Sequence, residues 1–243
     1  MEGRSPAFLP DAGAGPVLIR ASGRGGGGGV VPRLCAALLL ALVADRAVAE
    51  ENYAEFWSNP SAELQLDDRT GVELETAQRF RSRTDGGRDT VYLRLWLHRD
   101  LAKGLTLSGA VEQRWNEGQE EQRLHQQLSY RRGVWRGRTR LEQRFVEDDA
   151  RAAVRLRQRF GIEAPLGDRL WSAQANAEGF FTLRTGAPGR QTGLTGLRTY
   201  AGLAYEVSDR VTLGLGYVRA QDIRSGRPDR VIHAPLLSLE ASF

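Results

Sequence analysis

The sequence predicts an all-β chain: a single antiparallel transmembrane β-barrel of 10–12 strands, with twelve preferred. Three observations predict it. From Glu50 onward apolar and polar residues alternate at period 2 almost everywhere, while helical spacing is poor. Short turns alternate with longer polar loops, about one hairpin every 30–40 residues, the rhythm of a meander whose two ends face different compartments. Aromatic residues gather at both ends of the strands on the apolar parity, where a soluble sandwich would hold them mid-strand.

The chain has 243 residues, a formal net charge of +4 and 41% apolar residues. Its positive charge is almost wholly arginine, with Lys103 the one lysine. So small a net charge over this length is weak support for a nucleic-acid partner, and no zinc-finger, helix-turn-helix or RNA-binding motif accompanies it. Residues 1–29 are rich in Gly and Pro and lack periodicity, which predicts a disordered or mis-annotated N-terminal extension, with translation starting near Val30 or Val31. Residues 30–49 carry Arg33, an apolar run from Leu34 to Val43 and Ala47-Val48-Ala49, the pattern of a secretory signal peptide cut after Ala49. The only cysteine, Cys35, lies in that leader, so the mature chain is expected to hold no disulfide. Residues 50–243 are expected to form the barrel.

Strands are expected near 61–66, 71–82, 89–99, 105–115, 121–131, 135–146, 151–163, 170–183, 195–207, 211–220 and 232–243. That makes eleven. A single-chain barrel with both ends in the periplasm needs an even number, so residues 52–58 are assigned a short twelfth strand, with ten strands as the alternative. Turns fall at Leu66-Asp67-Asp68-Arg69, Leu101-Ala102-Lys103-Gly104-Leu105, Arg132-Gly133-Val134, Leu166-Gly167-Asp168-Arg169-Leu170 and Val207-Ser208-Asp209-Arg210-Val211.

On the apolar parity, Tyr130, Trp135, Phe160, Trp171 and Tyr205 stand near the short turns. Phe80, Trp115, Phe145, Phe181 and Tyr217 stand near the longer loops. Trp135 and Phe145, like Trp171 and Phe181, are ten residues apart in the sequence. At ~3.3 Å per residue and ~40° tilt that is roughly 25 Å along the barrel axis, the height of a lipid-facing band between two aromatic girdles. The chain ends LLSLEASF, where Leu237, Leu239, Ala241 and Phe243 alternate with polar residues. This reads as the closing strand, with Phe243 at the short-turn end.

The other parity lines the lumen. Arg123, Arg138, Arg140, Arg144, Arg155, Arg157 and Arg159 fall there, together with Glu112, Glu142 and Glu178. Like charges on neighbouring strands repel, and a dry interior cannot hold unpaired guanidinium groups. Two solutions remain open: acids cross the lumen and fill it with salt bridges, or water fills it and leaves a cationic wall opposite an acidic one.

Several stretches carry a family likeness. They are Glu121-Gln122-Arg123-Leu124-His125-Gln126-Gln127, Arg140-Leu141-Glu142-Gln143-Arg144-Phe145, Arg155-Leu156-Arg157-Gln158-Arg159-Phe160 and Gly202-Leu203-Ala204-Tyr205 with Leu215-Gly216-Tyr217. Over most of residues 57–243 the chain resembles an uncharacterised family of Gram-negative outer-membrane β-barrel proteins, a domain of unknown function. The resemblance implies an outer-membrane location and ten or twelve strands, and supplies no established activity. The terminal Leu239, Ala241 and Phe243 also resemble the signal read by the barrel assembly machinery.

The functional expectation is a small porin-like channel whose arginine-rich lumen favours anionic solutes. The alternative is an envelope-integrity barrel with a salt-bridged lumen and no transport. A lipid-modifying enzyme is the least favoured reading: His233 faces lipid near the outer loops with Ser225 the nearest nucleophile considered, and the chain is expected not to be an enzyme. No metal-ligand spacing or cofactor motif occurs, so no cofactor is expected. Expected partners are outer-membrane lipid, the assembly machinery and small anionic solutes, with no nucleic acid.

Overall fold

The computed structural model describes residues 50–81, 89–116, 119–167 and 170–243. The expected extension at 1–29 and the signal peptide at 30–49 lie outside the described residues. Eleven strands follow in chain order: β1 (Glu50–Asp67), β2 (Thr70–Arg81), β3 (Thr90–Ala102), β4 (Leu105–Asn116), β5 (Gln119–Arg132), β6 (Trp135–Val146), β7 (Ala153–Leu166), β8 (Trp171–Arg184), β9 (Gly193–Ser208), β10 (Val211–Asp222) and β11 (Asp229–Ser242). Each pairs with its sequence neighbours, and β11 pairs with β1 to close the barrel.

The preferred count of twelve is therefore corrected to eleven. The segments expected near 52–58 and 61–66 are one strand, β1, which runs straight through Asn59 and Pro60. Proline lacks an N–H but accepts extended backbone, and a strand tolerates it where a rung can be missing. Here the β1–β2 ladder skips Asn59 and Pro60, while the β1–β11 ladder pairs Asn59 with Ser238 and Pro60 with Leu239. An odd count in a closed meander demands one parallel pair, and that pair is β1 with β11. Consequently β1 starts at the end that carries the longer loops and finishes beside the C-terminus at the short-turn end. The terminal Phe243 is held in the ladder: its N–H donates to the Glu63 carbonyl (2.9 Å) and its carbonyl accepts from the Gln65 N–H (3.1 Å).

The two faces of the wall are inverted relative to a soluble protein. On β3, Leu93, Leu95 and Leu97 point outward, Leu95 at 48% exposure, whereas Tyr92, Arg94, Trp96 and His98 are buried inside, Arg94 at 0%. The pattern recurs around the circumference, with Leu107, Val111, Leu124, Leu128, Leu203, Leu213, Leu215, Leu237 and Leu239 all exposed. Outward polar residues on β5, β6 and β7 satisfy one another: Gln126 and Gln143 exchange amide hydrogen bonds at 3.1 Å, and Thr139 donates to Gln158 at 2.6 Å. The short turns tighten with glycine where a side chain cannot go. Gly104, in the β3–β4 turn, has φ +73°, and a Cβ there would lie 2.2 Å from the Arg131 carbonyl oxygen.

The aromatic residues expected at the strand ends stand on this outer face. Phe80, Trp115, Phe145, Phe181 and Tyr217 are exposed toward the longer loops; Tyr130, Trp135, Phe160 and Trp171 are exposed toward the short turns. Tyr205 is half-buried against Trp171, ring centres 4.7 Å apart, and Phe56 joins the upper group by stacking on Phe80 at 6.0 Å. Leu239 and Phe243 are exposed and Ala241 is half-buried.

Candidate functional site: the lumen

The period-2 alternation that turns leucines outward turns every second residue of the same strands inward, and on β2–β8 most of these are charged or aromatic. Three glutamates organise them. Glu112, on β4, accepts from Arg94 Nε (2.8 Å), Arg114 Nε (3.1 Å) and His125 Nε2 (3.2 Å). Glu142, on β6, accepts from Arg155 Nε (2.8 Å) and Arg157 Nη1 (2.7 Å), with His125 Nδ1 3.6 Å away. Glu178, on β8, accepts from Arg157 Nη2 (2.8 Å), Arg159 Nη2 (3.1 Å) and Arg138, with Arg198 at 3.8 Å. A fourth, Glu75 on β2, accepts from Arg94 Nη1 (2.8 Å) and the indole of Trp96 (2.9 Å). The links form two chains, Glu75–Arg94–Glu112–His125 from β2 to β5 and Glu142–Arg157–Glu178 from β6 to β8, and the chains meet where His125 Nδ1 lies 3.6 Å from Glu142.

Of the ten charged residues expected in the lumen, Arg123, Arg138, Arg140, Arg144, Arg155, Arg157, Glu112, Glu142 and Glu178 are buried in this interior, and Arg159 is half-buried. Arg123 and Arg144 share Glu121 near the loop end. The sequence reading passed over a second stabilising device. Guanidinium groups outnumber carboxylates, and aromatic faces take up part of the surplus. Arg140 lies 4.8 Å from the Trp96 ring, Arg114 4.9 Å from Tyr92, Arg157 4.7 Å from Phe180 and Arg79 4.4 Å from Trp57. The signal was present: Tyr92, Trp96, Trp57 and Phe180 occupy the polar parity of their strands, where an aromatic is out of place unless it packs inside.

The remaining arc is different. Inward positions of β9–β11 are mostly small or aliphatic, and Trp57, Val218, Ala220, Ile232, Ala234 and Leu236 form the apolar core with Tyr53 and Tyr200 against it. Tyr200 lies flat over glycines: a Cβ on Gly216 would meet its ring at 2.3 Å. Below the ion-pair run, toward the short turns, the lumen keeps a cavity of about 140 Å³ lined by residues that include Trp57, Arg138, Arg159, Ile162, Gln174 and Tyr200. Glu163 and Arg136 pair at its rim (3.2 Å), and His98 bridges Ser108 (2.8 Å) and Glu73 (3.1 Å) nearby. His233 lies on the outer face, its Nδ1 bonded to the Tyr217 hydroxyl and its Nε2 2.9 Å from Asn52 Oδ1; Ser225 makes its backbone contact with Gln191 instead.

A closed, all-β barrel with a charged, cross-linked interior defines the class. Residues 54–231 match the family described as Protein of unknown function (DUF2490), and the chain belongs to that family. None of the curated proteins matches it.

Proposed function

We propose that the protein is an outer-membrane β-barrel of a Gram-negative bacterium whose lumen is closed by buried ion pairs, so that it serves the envelope as a structural barrel. The observation that carries this reading is the run from Glu75 to Glu178, seven buried side chains in two linked chains that meet at His125 and Glu142 and together cross β2–β8. For ions to flow, water would have to replace these contacts, and each guanidinium released would need a new partner. Barrels of few strands are filled by their side chains, whereas those of sixteen or more leave a channel.

The membrane assignment draws support from the exposed aliphatic band, which circles the whole barrel and far exceeds the apolar patch of a soluble monomer. It also draws on the aromatic residues at both rims, on the closed ladder that leaves no edge in hydrocarbon, and on the signal-like leader. The partners proposed are outer-membrane lipid and the assembly machinery that reads Leu239, Ala241 and Phe243. No catalytic role is proposed.

Planar-bilayer recording tests the closed lumen. The expected result is an absence of single-channel events with the purified barrel. Anion-selective events that disappear in the double variant Arg140→Glu and Arg157→Glu would replace this reading with the porin-like channel.

A further inference from the structure

We propose that the cavity on the short-turn side of the lumen is a binding site for a small organic monoanion with a compact apolar body, the chemistry of an aromatic carboxylate. Its volume of about 140 Å³ is close to that of a cavity known to hold one benzene ring, ~150 Å³. One part of its wall is apolar, with Trp57, Val218 and Leu236. Its charge is one-sided: five guanidinium groups, Arg131, Arg136, Arg138, Arg159 and Arg198, line it, against two carboxylates, Glu163, which pairs with Arg136, and Glu178 behind the wall, which Arg138, Arg159 and Arg198 share. In a low-dielectric setting that imbalance favours an anion.

Gln174 supplies the second, independent pointer. Its side chain is 7% exposed, lines the cavity, and its Nε2 has no hydrogen-bond partner among the described residues. A buried amide donor left unmade is costly, and a ligand carboxylate oxygen satisfies it. The apolar wall then takes the ring, and the guanidinium groups take the charge. Glu63, Glu73 and Glu240, on β1, β2 and β11, also belong to the short-turn half but do not line the cavity; a cationic probe measures their influence. The site rests on the closed-lumen reading only in that the ligand enters from the short-turn mouth, and bilayer recording tests that reading separately.

The experiment is titration calorimetry on the purified, detergent-folded full-length barrel with benzoate, benzyl alcohol and benzylamine as probes. Benzoate is expected to bind, benzyl alcohol about tenfold more weakly, and benzylamine not at all. Leu236→Trp, which fills the cavity from β11, is expected to weaken benzoate about tenfold while the heat-modifiable gel migration of the barrel stays unchanged. Gln174→Leu is expected to weaken it roughly fivefold, and carries the test if the tryptophan variant fails to fold. The proposal is overturned if benzoate fails to bind the parent barrel, if benzyl alcohol or benzylamine binds as well as benzoate, or if benzoate affinity is unchanged in the folded variants.

Discussion

Two arcs of one wall fill the same lumen by different physics. From β2 to β8 the inward side chains are chiefly Arg, Glu, His and large aromatics, and the charges are held by partners on the same strand, the next strand or the one beyond, and by ring faces. From β9 to β11 they are chiefly Gly, Ala, Val, Ile and Leu, and they gather Trp57, Tyr53 and Tyr200 into a small apolar core. The outward faces of the two arcs are alike. The inner composition thus sets how the barrel is closed, independently of the face that meets the surroundings. The charged arc is specific but brittle, because removing one partner strands the others. The apolar arc is tolerant in charge and intolerant in volume, because its glycines exist to admit the Tyr200 ring.

The sharpest way to break this contrast is Glu178→Gln. Its carboxylate holds Arg138, Arg157 and Arg159, and the amide cannot neutralise them. We expect a loss of about 3–5 kcal/mol, read as a lowered urea midpoint in detergent micelles or as failure to give the heat-modifiable form. A midpoint equal to that of the parent would show that the charged arc does not depend on its pairing. In the apolar arc, Gly216→Ala places a methyl against Tyr200 and is expected to cost about 1–3 kcal/mol in the same assay. A stabilised variant there would mean that Tyr200 relaxes freely, which the tight packing argues against. The smallest effect belongs to neither arc. Arg99 and Asp67 pair at 3.4 Å on the exposed turn rim, and Arg99→Ala is expected to shift stability by less than about 1 kcal/mol.

How much of this was legible beforehand divides along the same lines. The outward face was readable residue by residue, because a side chain's parity within a strand is local and each strand supplies its own count. The positions of Trp115, Trp135, Phe145 and Trp171 follow from that count alone. The ring of lumen charges was readable as a set for the same reason. Its pairing was not: His125 meets Glu112 and Glu142 on its two neighbouring strands, but Arg138 meets Glu178 two strands away, across β7. Such partners depend on strand tilt and on the direction each long side chain takes into the lumen, neither of which is written locally. The aromatic lining was missed because Tyr92, Trp96 and Phe180 were counted with polar neighbours. The strand number was missed because an even count was required, which made residues 52–58 a strand of their own; only the ladder with β11 shows that β1 runs through them and past Pro60.

By itself the amino-acid sequence determined that this chain is all-β, that its strands have an aliphatic face and a charged face, and that a strand runs up to the terminal Phe243. These are period-2 properties, fixed by the alternation of side chains along a single extended backbone. Only the tertiary structure decided that the barrel closes with eleven strands through a parallel β1–β11 pair, that its charges meet as the run from Glu75 to Glu178, and that a cavity survives beneath them. Those features arise when strands distant in sequence come into register around a closed ring, and closure is a property of all eleven strands together.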